Sequence, residues 1–592
     1  MMENNSVPKE CQPNALWESG MLNKLFWILV VLIVGAAAFL RFENIEKQGI
    51  FAYDEAWYMQ IAKTCLQLPR FLAEIQQGVP VQDAFQSIYY GGFYPHITYK
   101  PSYIVLLMLT QMVVGINNPA AGAYLSAVLG MLTVGLVYLT FLQLTGSRWL
   151  ALMTMGITAV SGFQIYYSRF GIPYQWPAFV LLFYFYLYSR YRFGRPASRK
   201  MLFWSGMGIG LIQTTNDMMI PAVGLLFLFE LGYFIYQHQW RFSKVIRIWP
   251  FIAGVAAPLV FWDLVSHGLR KIFHATLHKG YVVPYHQELF SHIFKSHVRR
   301  AITNDEVHAA TDYLYFVKSL LDTEGWFFIL FLAIGTVLLS WQIWRKKRAD
   351  WFLLWILSGA SLALLFLYPE KRFRLAAPFF PLLILVCGIG IQSVISWLPF
   401  RQKSVQVAVA VFLLGLVTIP ALPFSYGFTQ LSSGYNQLAK DLKPKLQPGE
   451  PIATPYRFPV YSIYFPERKV LKFHSVEDFK ALLASNKVHY FLFEEVQYNR
   501  LCLPPVKICY LSEGGWAKVG SLEEQLAPYR IATYDLPYVR HTPSLWESLH
   551  IPYESVTSVI QHGAIYNTDK VRLYYIAEPQ QALRLLQVEA VD

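Results

Sequence analysis

Long apolar runs separated by short polar loops dominate the chain as far as residue 426, and a more evenly mixed pattern follows. Eleven runs read as membrane spans: 24–42, 120–143, 149–166, 174–190, 201–214, 218–237, 248–267, 325–344, 350–368, 373–398 and 404–424. A crossing helix needs about 20 predominantly apolar residues to pass a hydrocarbon layer about 30 Å thick. The 201–214 run is short for that task and is expected to extend on either side. Residues 103–116 (YIVLLMLTQMVVGI) number only fourteen, a length that suits an interfacial or re-entrant segment better than a span. The first run contains Ala36-Ala37-Ala38, which mimics a signal-peptidase site. Its polar leader, residues 1–23, is long and the run continues to Leu40, so it reads as an uncleaved anchor.

Charge orients these spans. With the N-terminus cytoplasmic, the short inner loops carry Arg148, Arg190, Arg192, Arg195, Arg199, Lys200, Arg241, Lys244, Arg247, Arg345, Lys346, Lys347, Arg348, Arg401 and Lys403. The short outer loops carry only Arg169, Lys371, Arg372 and Arg374. Counting 103–116 as a span would move the basic clusters outside, against the positive-inside rule. The expectation is a polytopic α-helical protein of an inner or plasma membrane, with its C-terminus extracytoplasmic. The membrane domain is 24–426, with long outer loops at 43–119 and 268–324. Residues 427–592 read as a soluble α/β domain on the outer side: PIAT (451–454), KVLKF (469–473) and VHYFLFEE (488–495) are strand-like, and SVEDFKALLAS (475–485) between the last two is helical, with Ser475 as N-cap.

Composition agrees. Of 592 residues, 55% are hydrophobic and 15% charged, against about 25% charged in average soluble chains. The net charge of +13 is accounted for by the loop clusters, and no nucleic-acid module is present to claim it. Five cysteines are too few for a disulfide framework. Cys387 falls mid-span and reads as a core thiol. Cys502 and Cys509 lie close together, as a pair in an oxidising compartment or as two thiols.

Polar chemistry concentrates in the outer segments. The first begins IFAYDEAWYMQIAK (50–63), placing Asp54 and Glu55 among aromatics just beyond the first span. An acid pressed against aromatics at the membrane edge gains basicity from partial desolvation, as a general base requires; an isolated acidic pair is otherwise a solvated loop feature. The same segment ends YPHITYKPSY (94–103), with Lys100 at headgroup depth and Pro101 starting a helix. Lys100 can snorkel there or meet a lipid phosphate. Tyr58 and Tyr99 flank these charges as candidate substrate contacts. The 268–324 loop holds His274, His278, His286, His292, His297 and His308 with Arg270, Lys271, Lys279, Lys295, Arg299 and Arg300. His274 and His278 have helical metal-ligand spacing but no acid or Cys nearby in sequence, so a loop lying on anionic headgroups is the simpler reading. Asn216 and Asp217 read as a tight turn.

A DE pair after the first span, followed by K-P at the start of an apolar helix, resembles the GT-C membrane glycosyltransferases. More narrowly it is similar to the protein O-mannosyltransferase and aminoarabinose-transferase-like group. YYSRFG (166–171) resembles that group's outer R-x-G turn, and PEKRFRLAAPFFPLL (369–383) its basic signature before a late span. The chain departs from the aminoarabinose transferases at Trp57, where they carry Arg, and at Tyr99, where they carry an acid. It departs again at Ser102, where they have a second proline, and at Ile172-Pro173-Tyr174, which lacks their acid. The sugar is thereby left open. No β-trefoil-like module is inserted between spans.

The resemblance implies transfer of a sugar from a polyprenyl-phosphate donor to a hydroxyl of a protein, lipid or glycan at the outer face. Asp54 would be the base and Glu55 would orient it or the acceptor. Lys100, Arg169, Lys371 and Arg372 would stabilise the departing phosphate. The scheme requires no metal, a divalent-metal-dependent reaction being the alternative within the same fold. The assumed topology places Asp54, Lys100, Arg169, Asp217 and Lys371-Arg372 on one side. A flippase for a lipid-linked glycan would place its polar residues near the midplane and show repeats, which these spans lack. A surface-glycan polymerase or ligase shares the same substrates and is the second alternative.

Overall fold

A computed structural model describes residues 20–51, 53–80, 83–84, 100–193, 198–216, 219–237, 247–277, 314–346, 348–360, 362, 373–399, 402–455, 458–473, 476–494, 522–536 and 569–586. The apolar run of the first span forms α1 (Gly20–Phe42), followed by α2 (Ile45–Gln48). The segment after it holds α3 (Tyr53–Leu66), α4 (Leu68–Gln76) and α5 (Pro101–Val114). Then come α6 (Ala121–Thr145), α7 (Arg148–Val160), α8 (Gly162–Arg169), α9 (Gln175–Tyr191), α10 (Arg199–Thr215), α11 (Ile220–Gln237) and α12 (Trp249–Leu277). Beyond residue 313 follow α13 (Tyr315–Glu324), α14 (Trp326–Lys346), α15 (Ala349–Trp355, running into a π-turn to Ala360), α16 (Phe380–Trp397), α17 (Lys403–Thr418) and α18 (Leu422–Gln430).

Five of these helices are long and apolar enough to cross a membrane, and seven spans result if two bent pairs each count as one. The expected span 149–166 is one such pair, α7 and α8, bent by 55°. The break falls at Ser161, whose extended backbone ends α7 while its hydroxyl accepts from Gln164 N to cap α8. The expected span 404–424 breaks similarly, by 51° before Leu422. The 201–214 run extends on both sides as α10. The expected 103–116 segment is helical from Pro101 to Val114, the fourteen-residue α5, which packs against α3 and α6.

Helices cross closely where glycines face each other. A Cβ on Gly206 of α10 would run into the Phe251 carbonyl of α12, and one on Gly254 into the Phe203 carbonyl; Gly335 and Gly390 do the same for α14 and α16. Small residues let backbones approach where lipid offers no hydrophobic drive to helix association. α6 and α16 lie at the centre of the bundle, whereas α1, α11 and α14 turn apolar surface outward, as at Val31, Leu228 and Val337.

One buried charge pair ties the end of α9 to α11. Arg192, counted above as a loop cation, is buried against Glu230 of α11 at 2.8 Å. Gln237 accepts from the same guanidinium, Tyr188 donates to the carboxylate, and the Tyr233 ring lies 4.7 Å from the cation. The apolar pattern of 218–237 hides this carboxylate, which needs a cation because an unpaired charge in that setting is costly.

The C-terminal part continues with α19 (Tyr435–Leu442), β1 (Ile452–Thr454), α20 (Phe458–Tyr464), β2 (Val470–Lys472), α21 (Val476–Ala484), β3 (Tyr490–Glu494), β4 (Arg530–Leu536), β5 (Asp569–Tyr575) and α22 (Pro579–Leu585). The sheet order is β2-β1-β3-β5-β4, with β1 parallel to β2 and β3, and β5 antiparallel to β3 and β4. Alternation assigns its two faces. Ala453, Phe491 and Phe493 pack with Phe479 and Leu483 of α21. Ile452, Tyr490, Leu492 and Leu573 share one core with α19, α20 and Ala56, Met59 and Ala62 of α3. Cys502 and Cys509 lie outside the described residues.

Removing one partner of the buried pair should destabilise the bundle by about 3–5 kcal/mol, because the other charge is left uncompensated. Glu230→Ala is expected to lower the thermal midpoint of the detergent-purified protein strongly. Adding Arg192→Met to it should restore most of the loss; a double variant as unstable as the single one refutes the account.

Candidate active site

The site is built where α3 begins. Helix N-termini carry unsatisfied N–H groups and favour acids in the first turn, and Asp54 and Glu55 both stand there. The two diverge completely. Asp54 is exposed. Glu55 is fully buried. Its Oε2 accepts from Phe51 N at 3.3 Å, reaching back as a capping-box residue does, and its Oε1 accepts from Gly171 N at 2.8 Å. Glu55 thus ties the first polar segment to the R-x-G turn, 116 residues along the chain.

Gly171 has no room for a side chain. A Cβ there would lie 2.6 Å from Glu55 Oε1 and 2.8 Å from Gly122 Cα. Its carbonyl accepts from Tyr103 Oη at 2.8 Å, so both peptide groups of the turn are held. Tyr103 meets Tyr58 edge-on, with ring centroids 5.9 Å apart. Lys100, immediately before α5, donates to Tyr58 Oη while its ammonium lies 4.8 Å from that ring's centroid. Asp54 and Tyr58 are one helical turn apart, and residues so spaced share a face. Glu55, three residues before Tyr58, neighbours the same tyrosine, with its own carboxylate turned to Gly171.

The K-P-S sequence is anchored on its other side. Ser102 Oγ donates to the Thr214 carbonyl at 3.0 Å and accepts from Trp176 Nε1 at 2.8 Å. Serine in place of a second proline thus links α5 to α9 and α10. Asn216, at the end of α10, donates to the Pro173 carbonyl at 3.3 Å, joining the same assembly.

Arg169 is buried. Its guanidinium donates to the Leu40 carbonyl at 3.1 Å and the Glu43 carbonyl at 2.8 Å, and its own carbonyl accepts from Gln48 Nε2 at 2.7 Å. Arg41 is the counterpart: it donates to the Ala159 and Thr158 carbonyls at the end of α7, at 2.9 and 3.0 Å. Each arginine satisfies the orphan carbonyls of another helix C-terminus, where a cation is also favoured by the dipole. Sequence reading singled out Arg169 as a phosphate ligand; the structure turns it inward to hold the turn.

The far end of α8 is fixed by Glu324, at the end of α13. Its Oε1 accepts from Ser161 Oγ at 2.9 Å and Phe163 N at 2.8 Å. Burial pushes this carboxyl up to about 8. Neither Glu324 nor Tyr103 was picked out from sequence, because each acts through a partner far along the chain. Tyr99, Asp217, Lys371, Arg372 and the side chains of the 268–313 histidines and cations lie outside the described residues. Among the described residues no cluster of three His, Cys, Asp or Glu side chains converges.

The shift of Glu324 has a sign. Unfolded, the carboxyl titrates near 4.5; folded, it keeps its proton to about 8. Between these values the folded chain binds more protons, so the stability tied to this group is full below pH 4.5 and falls as pH rises towards 8. The thermal midpoint of wild-type protein should therefore drop more steeply from pH 5 to pH 8 than that of Glu324→Gln. Parallel curves would contradict the assignment.

No protein-family model matches the chain. A curated relative, dolichyl-phosphooligosaccharide-protein glycotransferase 1 of Archaeoglobus fulgidus, is 23% identical over 354 residues, 51% of this chain and 54% of the relative. The chain thus spans about half the length of the relative it matches. Among solved structures, ArnT from Cupriavidus metallidurans in the apo state superposes with a TM-score of 0.53 at 14% identity, covering 82% of this chain and 95% of ArnT. ArnT bound to undecaprenyl phosphate gives 0.51 at 14% identity, over 82% and 96%. The archaeal oligosaccharyltransferase AglB from Archaeoglobus fulgidus, in complex with an inhibitory peptide and a dolichol-phosphate, gives 0.51 at 11% identity, over 81% and 70%. Long apolar helices, the site-bearing segment after α1 and these superpositions together give the chain the GT-C fold, that of multi-pass membrane glycosyltransferases.

Proposed function

We propose that the chain is a membrane glycosyltransferase that moves a sugar from a polyprenyl-phosphate carrier to an acceptor hydroxyl at the extracytoplasmic face. One observation carries this reading. The DE helix, the K-P helix start and the R-x-G turn are interlocked through Glu55, Gly171, Tyr103, Tyr58 and Lys100, with Asp54 exposed in the first turn of the DE helix. The carrier class is carried over from ArnT bound to undecaprenyl phosphate and AglB with dolichol-phosphate.

In the proposed step Asp54 takes the proton of the acceptor hydroxyl as its oxygen attacks the anomeric carbon. The bond from that carbon to the phosphate oxygen breaks, and its electron pair leaves with the phosphate. One displacement inverts the anomeric centre. Lys100 meets the developing negative charge, and Lys371 and Arg372 share that role in the proposal. Tyr58 holds the Lys100 ammonium, and Tyr99 stands beside it in sequence as a substrate contact. Glu55 orients Asp54 from behind by fixing the first turn of α3, and Arg169 supports the turn rather than the phosphate.

With purified protein and a labelled polyprenyl-phosphate sugar, Asp54→Asn should lower transfer by about 10²–10⁴-fold, the usual worth of a positioned base. Its melting curve should stay cooperative. Full activity in that variant removes Asp54 from the role. Transfer should also survive a divalent-metal chelator; activity lost to chelation and restored by Mg²⁺ or Mn²⁺ would instead assign a metal-dependent reaction.

A further inference from the structure

The segment leading into α3 is clamped by the C-terminal domain. Ser433 N donates to the Gln48 carbonyl at 2.7 Å, and Ile50 N donates to Tyr464 Oη at 3.2 Å. Asn436 Nδ2 donates to the Glu46 carbonyl at 2.7 Å. Gly49, between them, has φ +71°, and a Cβ there would strike Ser433 Oγ and come within 2.9 Å of Tyr464 Oη. Only glycine fits this left-handed, tightly covered position.

The clamp has a keystone in the sheet. Glu494, the last residue of β3, is fully buried. Its Oε1 accepts from Tyr435 Oη at 2.9 Å and from Tyr461 Oη at 2.6 Å, joining α19 and α20. Tyr464 lies one turn beyond Tyr461 on α20 and stacks on Tyr435 with centroids 6.0 Å apart. The path then runs from Tyr464 to Ile50, and from Phe51 N to Glu55.

We propose that Glu494 is a positioning residue for the transfer reaction, acting through Tyr435, Tyr461 and Tyr464 to fix the 48–51 strap and, with it, the first turn of α3 that carries Asp54. This rests on the transfer reading above. The C-terminal sheet then serves the reaction by setting the angle of the base, without touching substrate.

The test uses full-length protein in lipid nanodiscs. Glu494→Gln retains an oxygen that accepts from both tyrosines, whereas Glu494→Ala retains none. Glu494→Ala should lower kcat by about tenfold or more, since small misplacements of a reacting group are costly. The donor KM should stay within about twofold, because lipid binding is not the function disturbed. Glu494→Gln should recover most of the rate. Tyr464→Phe removes the acceptor for Ile50 N and should act in the same direction. Combined with Glu494→Ala it should add little, as members of one relay do. Amide hydrogen exchange over residues 48–58 should rise in Glu494→Ala and Tyr464→Phe. Unchanged exchange in both variants, or additive losses of kcat, overturns the relay. Wild-type protein that transfers no sugar from any polyprenyl-phosphate donor overturns the proposed function instead, and exchange still decides the relay.

Discussion

The contact between the Glu55 carboxylate and the Gly171 amide is the constraint on which the rest of the site depends. A buried carboxylate must be met by donors, and here the donors are backbone amides from two distant parts of the chain. Meeting them fixes the start of α3, the turn after α8 and the space at Gly122 together. With the turn held, Tyr103 can reach its carbonyl, and the Tyr58–Lys100 contact follows from the packing of α3 on α5. Adjacent acids have thus taken opposite duties: Glu55 is spent on architecture, which leaves Asp54 to chemistry in the proposed reaction.

Guanidinium groups do the comparable work at helix ends. Arg41 and Arg169 cap one another's neighbouring helices by donating to terminal carbonyls that lipid could not satisfy. The short α8 between them is buried at all eight residues. It is a rod with Glu324 at one end and the Gly171 turn just past the other. A bent pair rather than a straight span is what puts that rod inside the protein and brings the turn to α3.

Much of this was legible in the sequence. Helix periods and apolar length located α1, α6, α9 to α11 and α14 within a few residues, and α16 apart from the 3-10 segment Phe373–Phe379 before it, because burial in lipid and protein alike demands continuous apolar faces. The first three strands and α21 were readable from short β-branched and aromatic runs between turn signals. β4 and β5 were not, since RIATYDL and DKVRLYY mix charges into half-exposed positions. Sequence reading singled out residues 54, 55, 58, 100 and 169 as candidates; the structure brings Glu55 to the Gly171 turn and Tyr58 to Lys100, but these different surroundings were not readable from sequence. Exposure of Asp54 against burial of Glu55, the inward turn of Arg169 and the neutralisation of Arg192 by Glu230 all depend on partners that no local window contains. The residues that sequence reading passed over, Tyr103, Gly122 and Glu324, look like ordinary members of their helices until those partners are in place.

The hydrogen bond from Ile50 to Tyr464 joins residues separated by 414 positions. A ribosome adding about 5–20 residues per second needs on the order of tens of seconds to cover that distance. Throughout that interval the helix bearing Asp54 has been made while the aromatic helix that seats the strap before it does not yet exist. Seating of the strap before α3 therefore waits for synthesis of residue 464, and a chain truncated before it would carry α1 to α18 and still leave Ile50 N without this acceptor.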